Sequence, residues 1–186
     1  MPSREFGRCS TLPDNDLYNA QFMDHVAHPY YKYEMEDPTY THEGVNPSCG
    51  DDLVLQIKVG EDGKIEEASY TGHGCAISQA SADMMSDLIV DRTPEDALRL
   101  CELFMSMVRG EQDDPEVLAE LDEASMLESI SRMPARVKCA ELAWRTLEEI
   151  IREQHMAGSP EGPVQGEADA AASGSGAAAE EQGREA

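Results

Sequence analysis

The sequence of 186 residues predicts an α+β domain in which a three-stranded antiparallel sheet packs against four to six helices, followed by a disordered C-terminal tail. Two patterns indicate this fold class. Apolar side chains alternate over residues 53–59 and resume over residues 65–70, with turn-forming residues between them, which is the pattern of a β-hairpin. After residue 75, apolar side chains instead repeat every three to four residues, as in amphipathic helices.

The first third of the chain supplies one helix and one further strand. Residues 1–15 have no periodic pattern and are predicted to form a flexible arm. Leu17, Ala20, Met23 and Val26 then indicate the inner face of a short helix that Pro29 ends, with His25 on the far side. Because a hairpin alone is only marginally stable in water, we expect residues 40–46 to add a third strand.

The second half of the chain is helical up to its C-terminal tail. Thr93 is a suitable N-cap and Pro94 a suitable first-turn residue for one of these helices. From residue 157 the composition of Gly, Ala, Ser, Pro and Glu lacks periodicity and predicts a disordered acidic tail, which leaves a folded domain over residues 16–156. The helices expected are, in order, residues 77–88, 93–108, 115–121, 126–130 and 135–154.

Charge and hydropathy exclude several functional classes. The formal net charge of −24 opposes binding to nucleic acid or to an anionic membrane surface. No apolar run approaches the roughly 20 residues that span a bilayer, and the N-terminus lacks the apolar centre of a secretory signal. We therefore expect a cytoplasmic protein whose five cysteines, an odd number in a reducing compartment, are free thiols.

Three of the five cysteines are candidates for chemistry. Cys49 lies in the turn-like stretch VNPSCGDDL, and if this stretch is extended its side chain projects to the same side as that of Asp51. Cys75 precedes a helix, and Cys139 is expected in the first turn of the last helix beside two cations; both settings lower the pKa of a thiol. By contrast, Cys101 falls on an apolar helical stripe and is predicted to be buried, and Cys9 is assigned no role.

The hairpin is expected to bring these residues together, because Cys49 and Cys75 lie at its two ends. Three thiolates and one carboxylate provide the four donors of a tetrahedral zinc site. The chain has no CxxC pair, and one donor is an oxygen, so the predicted site is one whose ligands can exchange. Spacing alone leaves two readings open, a shared metal site and three unrelated cysteines.

Longer motifs resemble a known family. CGD at residues 49–51, GHGCAIS at 72–78 and ARVKCAELAW at 135–144 are similar to the motifs of the IscU-like and NifU-N-like iron–sulfur assembly family, and the similarity spans roughly residues 17–155. The resemblance implies a three-stranded antiparallel sheet covered by helices. It also implies that the family's metal ligands fall on Cys49, Asp51, Cys75 and Cys139.

Within that family the chain resembles the SufU branch of zinc-dependent sulfurtransferases. The scaffold branch has a histidine immediately before its third cysteine, where this chain has Lys138, and Arg136 matches an arginine of the SufU branch. The segment between the second and third cysteines is also longer, with residues 110–128 as the expected insertion. The resemblance implies zinc as the cofactor, Cys49 as the sulfur acceptor with Cys139 as the alternative acceptor, and Arg136 as a catalytic residue.

The implied partners are a SufS-like cysteine desulfurase, which is a pyridoxal-phosphate enzyme, and a SufBCD-type scaffold downstream. Two rival functions remain, a scaffold that assembles a [2Fe–2S] cluster on the same ligands and a zinc-stapled binding module without catalysis. The histidines lack ligand spacing and are predicted to be surface or hinge groups, of which only His73 lies near the site. The methionines in the helices are expected to fill the core.

Overall fold

The computed structural model describes residues 17–157, and the side chains among them up to residue 153. The predicted N-terminal arm with Cys9, and the predicted acidic tail, lie outside the described residues. The elements are α1 (Ala20–Ala27), β1 (Tyr40–Asn46), β2 (Asp51–Val59), β3 (Ile65–His73), α2 (Ala76–Ile89), α3 (Pro94–Val108), α4 (Pro115–Leu118), a 3₁₀-helical segment (Ala119–Arg132) and α5 (Pro134–Ala157).

The three strands form an antiparallel sheet in the order β1-β2-β3, as the sequence predicts. Asn46 at the end of β1 pairs with Asp51 at the start of β2, and Asp52 pairs with His73 at the end of β3. The end of β1, the start of β2 and the end of β3 therefore lie together at one end of the strands. The loop into α2 leaves from this same end, which places Cys75 beside the turn that contains Cys49.

The core lies between the sheet and the long helices. α2 packs against β3, α1 and α5, and α5 also packs against β1, so these two helices cover the sheet. Trp144 of α5 stacks on Phe104 with the ring centroids 4.1 Å apart, and its indole nitrogen donates a 2.9 Å hydrogen bond to Ser81. The expected core positions are confirmed as buried: Cys101, Met84, Met85, Met105, Met107, Ala140, Trp144, Leu147 and Ile151.

The predicted inner face of α1 is only partly correct, since Leu17 and Val26 pack against the core but Ala20 and Met23 do not. The structure buries Phe22 and His25 against the core and exposes Ala20 and Met23. Phe22 is the larger apolar side chain, and burying it removes more surface from water. His25 can be buried because both of its ring nitrogens find carboxylate partners, which a hydrophobic pattern does not reveal.

The expected insertion is ordered. It contains α4 and much of the 3₁₀-helical segment, in place of the two separate short helices predicted from periodicity. A break in helical geometry at Asp122, with φ 48° and ψ −127°, reorients the chain within this segment. No helix in the described part of the chain combines the length and the hydropathy needed to cross a bilayer.

Candidate metal centre

Three of the four predicted ligands meet at the end of the strands where the β1–β2 turn lies. One ligand atom each from Cys49, Asp51 and Cys139 lies within 4.8 Å of the others, and the two sulfur atoms are 2.9 Å apart. Asp51 and Cys139 are fully buried, whereas Cys49 is exposed. The β1–β2 turn, the first residue of β2 and α5 each contribute one of these side chains. Two of the three ligand side chains in the cluster are thus buried, and the sulfur of Cys49 is accessible to a partner protein.

A tight turn places Cys49, and the extended backbone assumed from the sequence is wrong. The backbone N–H groups of Cys49 and Gly50 both donate to the carbonyl of Asn46, at 3.2 and 2.9 Å, so β2 begins only at Asp51. Gly50 has φ +71°, a left-handed conformation that suits glycine. Turn closure, and not strand alternation, brings the Cys49 thiol to the side of Asp51.

Asp51 is held as a carboxylate by surrounding donors. Its Oδ1 accepts from the backbone N–H of Cys75 at 2.7 Å and from the Ser78 hydroxyl at 3.2 Å. Its Oδ2 accepts from the Asn46 side-chain amide at 2.9 Å. Burial acts to raise the pKa of Asp51, but these hydrogen bonds outweigh it and lower the pKa below its usual range. A buried, ionised oxygen donor is therefore in place beside the sulfurs.

Cys75 lies at the start of α2, as predicted, but its sulfur is not part of the three-residue group. The Cys75 sulfur acts as the N-cap of α2 and accepts from the backbone N–H of Ser78 at 3.5 Å. The backbone N–H of the same residue contacts Asp51, so Cys75 adjoins the cluster while its sulfur faces its own helix. The four-ligand set remains a prediction, and it requires the Cys75 side chain to turn towards the other sulfurs.

Cys139 differs from its prediction in position and in acidity. It lies in the second turn of α5, which begins at Pro134, and not in the first turn. Its pKa is raised and not lowered, first because of burial and then because of its contacts with Cys49 and Asp51. The Asn46 amide nitrogen lies 3.4 Å from its sulfur. A divalent cation would relieve this penalty, because thiols bind metals as thiolates and release a proton on binding.

One cation, Arg136, contacts the open side of the cluster. The Arg136 guanidinium is exposed, and its Nη1 lies 3.9 Å from the Cys49 sulfur. Lys138 is also exposed, one residue before the buried thiol of Cys139. His73 is exposed at the end of β3, which agrees with a position near the site. Arg136 is thus placed to stabilise negative charge on the Cys49 sulfur.

The donor set fits a thiophilic metal. One buried thiol, one exposed thiol and one carboxylate suit zinc or an iron–sulfur cluster better than a hard cation, which prefers oxygen ligands. Sequence reasoning missed three residues that support the ligands, namely Asn46, Gly74 and Ser78. A Cβ on Gly74 would lie 2.3 Å from the Ser78 hydroxyl and 3.1 Å from Asp51 Oδ1, so glycine is required for this close approach. Gly74 and Ser78 lie within the motif GHGCAIS, which drew attention to Cys75 and not to its neighbours, and Asn46 was marked only by its position three residues before Cys49.

This sheet, with cysteines on the β1–β2 turn, at the start of α2 and on α5, defines a class that comparison with known proteins identifies. The family model for the NifU-like N-terminal domain matches residues 17–140, and the chain belongs to this family. The resemblance inferred from the motifs is therefore confirmed, together with the fold that it implies.

Relatives within the family have two different names. The iron–sulfur cluster assembly scaffold protein IscU of Streptococcus pyogenes is 38% identical over 138 residues, which is 74% of this chain and 84% of the relative. The zinc-dependent sulfurtransferase SufU of Bacillus subtilis is 36% identical over 138 residues, or 74% of this chain and 91% of the relative.

A solved structure shows the same fold. It is a putative iron–sulfur cluster assembly scaffold protein for the SUF system from Fervidobacterium islandicum, which superposes with a TM-score of 0.64 at 32% identity. The match covers 73% of this chain and 97% of that one.

Proposed function

We propose that this chain, as a member of the IscU and SufU family of iron–sulfur cluster assembly proteins, is a zinc-dependent sulfur acceptor. It takes persulfide sulfur from a pyridoxal-phosphate cysteine desulfurase and passes it on to a scaffold of the SufBCD type. The observation that carries the proposal is the exposed thiol of Cys49, which lies 2.9 Å from the buried Cys139 sulfur and 3.9 Å from the Arg136 guanidinium.

The proposed zinc ligands are Cys49, Asp51, Cys75 and Cys139. When bound, zinc would keep the ligating thiols deprotonated at neutral pH and limit their random oxidation. Asp51 is supported for this role by its lowered pKa and its three hydrogen-bond donors. Cys75 requires a change of side-chain rotamer, which costs the N-cap bond to Ser78.

The transfer step needs an accessible thiolate and a stabilised leaving charge. The Cys49 thiolate attacks the outer sulfur of the partner's persulfide, so that a new S–S bond forms at Cys49 and the partner's S–S bond breaks. The partner cysteine leaves as a thiolate; Cys49 is oxidised to a persulfide and the donor persulfide is reduced by the same two electrons, so the step needs no external oxidant. Arg136 stabilises the negative charge on the sulfur atoms at this point, because its guanidinium already adjoins the Cys49 sulfur.

The alternative function is a scaffold that assembles a [2Fe–2S] cluster on the same side chains. Thiolates suit such clusters as well as zinc, and relatives named IscU match at the same level as SufU. Lys138 favours the acceptor function, because the scaffold branch has a histidine in that position. A lysine ammonium is a poor metal ligand at neutral pH.

Metal analysis of the purified chain separates the two functions. We expect about one zinc per chain and no visible absorption, because four donors complete one tetrahedral site. A brown protein that contains iron and acid-labile sulfide would instead support the scaffold. Elemental analysis and the visible spectrum give the answer on the same sample.

Replacement of the acceptor thiol tests the transfer. Cys49→Ala should abolish persulfide formation on the chain and its stimulation of desulfurase turnover, because no other exposed thiol lies in the described cluster. Cys101→Ala is the matched control, since Cys101 is buried in the core and should leave transfer intact. Intact mass, which rises by one sulfur atom, and sulfide release measure the two effects. Undiminished stimulation by Cys49→Ala would refute the acceptor role.

A further inference from the structure

A groove with basic side chains runs beside the candidate metal centre. It has a volume of about 340 Å³ and lies between the end of β1 with the following turn, residues 45–48, and one face of α5. Lys138, Leu142 and Arg145 form the α5 wall. Ser48 in the opposite wall immediately precedes Cys49, so the groove leads directly to the exposed thiol.

Glycine packing builds this groove. A Cβ on Gly44 would lie 2.1 Å from Thr146 Oγ1 and 3.3 Å from Leu142 Cδ1, so only glycine allows β1 to approach α5 this closely. Within the described part of the chain β1 pairs with β2 alone, so it is an edge strand of the sheet, the kind of strand to which an extended segment can add. Val45, at 57% exposure, adds an apolar surface to the wall.

The charge of the groove is opposite to that of the chain. The net charge of the chain is −24, yet none of the described residues that line the groove is acidic. Arg145 and Arg109 both contact the carboxylate of Glu141, at 2.8 and 2.7 Å, and Glu102, Glu111 and Glu148 line an adjoining pocket with these two arginines, so the charge of Arg145 is largely balanced. Lys138 adds a second exposed cation.

The groove extends away from the metal centre along α5. Arg145 is about 9 Å further along α5 than Cys139, at the helical rise per residue, which is about one Debye length at physiological salt. One helical turn beyond Arg145, His42 of β1 contacts Glu149 of α5 at 3.2 Å. Lys138 and Arg145 are the two cations in the groove lining.

We propose that this groove binds an extended acidic segment of the sulfur-donating partner and so guides the partner's persulfide to Cys49. The inference rests on the proposed sulfur-acceptor function for the identity of the partner. Carboxylates of the segment pair with Lys138 and Arg145, an apolar side chain covers Val45, and backbone groups of the segment bond to the free edge of β1. Charge complementarity of this kind contributes to specificity and association rate more than to raw affinity.

Binding of the full-length, zinc-loaded chain to the cysteine desulfurase of the same genome tests the proposal. Lys138→Glu should weaken the affinity about tenfold, as measured by calorimetry, because it replaces an attractive contact by a repulsive one. Lys64→Glu is the matched control, since Lys64 is equally exposed but lies in the β2–β3 turn at the opposite end of the sheet. At saturating desulfurase, Lys138→Glu should still accept sulfur at Cys49, which distinguishes docking from chemistry.

Zero-length carbodiimide crosslinking identifies the occupant, because it joins a lysine amine to a carboxylate in contact with it. A Lys138 crosslink to an aspartate or glutamate of the desulfurase supports the proposal. A Lys138 crosslink to residues 158–186 of the same chain, or to a second copy, would assign the groove to that occupant and overturn it.

The affinity measurement separates the two proposals. Lys138→Glu affinity within twofold of the wild type would overturn the docking proposal and leave the acceptor function standing. Binding that depends on Lys138 without any persulfide on Cys49 would overturn the acceptor function and leave the groove as a docking site. Absence of any desulfurase binding would overturn both.

Discussion

Asp51 connects the sheet to α2 at the candidate metal centre. Its two oxygens accept hydrogen bonds from Asn46 of β1, from the backbone of Cys75 and from the hydroxyl of Ser78. Each of these bonds orients a carboxylate that is itself a proposed ligand. Such bonds to a ligand side chain fix its direction and tune its affinity for the metal. The residues around Asp51 should therefore affect metal binding without touching the metal.

Gly74→Ala tests this support. The added methyl group would lie 2.3 Å from the Ser78 hydroxyl and 3.1 Å from Asp51 Oδ1, so Ser78 must move and the Asp51 hydrogen bonds must lengthen. We expect a loss of roughly 1–3 kcal/mol in the free energy of unfolding and at least tenfold weaker zinc binding. Urea denaturation and competition with a zinc chelator measure the two effects.

The control is Gly60→Ala on the β2–β3 turn. There the nearest atom to the new methyl group is the surface side-chain oxygen of Asp62 at 3.0 Å, which can rotate away. Zinc affinity should be unchanged in this variant. If Gly74→Ala retains the wild-type affinity for zinc, the orientation of Asp51 does not contribute to metal binding.

Residue types in the site were predictable from the sequence, but their contacts were not. The letters CGD and GHGC identify thiols and a carboxylate at the ends of a hairpin. The roles of Asn46 and Ser78 depend on strand register and on side-chain rotamers, which leave no periodic signal. The acidity of Cys139 was predicted wrongly for a related reason: the residue is the sixth of α5, beyond its first turn, and the thiol is fully buried.

At the scale of elements, His25 joins three helical segments. This side chain of α1 is only 5% exposed, and its Nδ1 lies 2.8 Å from Asp83 of α2. Its Nε2 lies 2.9 Å from Glu123 of the 3₁₀-helical segment. Carboxylates accept hydrogen bonds, so both ring nitrogens donate and the ring is charged. The inserted segment is thus attached to the domain through a buried cation.

The stability of the domain should depend on the protonation of His25. Burial acts to lower the pKa of His25, but the hydrogen bonds to Asp83 and Glu123 outweigh it, and the pKa is raised. The contribution of His25 is therefore complete below its ordinary pKa of about 6.5 and is lost as the pH rises through the raised value. At pH 6, His25→Gln should lose roughly 1–3 kcal/mol of unfolding free energy, and the difference from the wild type should shrink by pH 9.

Urea denaturation across this pH range measures the difference. His42→Gln is the matched control, because His42 contacts Glu149 in a half-exposed pair at the surface, where ion pairs contribute little. Its unfolding free energy should follow that of the wild type at every pH. A constant difference between His25→Gln and the wild type from pH 6 to pH 9 would show that the charge of His25 does not hold the segment.

At the scale of the whole molecule, the predicted elements agree with the structure where the periodicity of apolar residues in the sequence is strong. The hairpin and the long helices lie where alternation and helical spacing place them, and the third strand lies where the marginal stability of an isolated hairpin required one. The buried face of α1 differs from the prediction, because a hydrophobic pattern cannot identify a buried histidine that has two acidic partners. The 3₁₀-helical segment also differs from the prediction. The backbone of Asp122, where the helical geometry breaks, adopts a positive φ that aspartate rarely adopts.

The metal should stabilise the whole domain, because its proposed ligands come from the sheet, from the start of α2 and from α5. A ligand that binds only the folded state at a thousand times its dissociation constant adds about 4 kcal/mol to the free energy of unfolding. We therefore expect removal of zinc with a chelator to lower the melting temperature by about 8–16 °C. Differential scanning calorimetry of the loaded and stripped chain measures this shift.

Two cysteine variants should separate metal binding from packing, since Cys139 and Cys101 are both fully buried. Cys101→Ala removes a sulfur from the core and should lower the melting temperature by a few degrees, roughly 1 kcal/mol, while the chelator still causes the full further shift. Cys139→Ala removes a proposed ligand, so the melting temperature should be low with or without chelator. If the chelator lowers the melting temperature of Cys139→Ala as much as that of the wild type, the metal that stabilises the domain binds elsewhere.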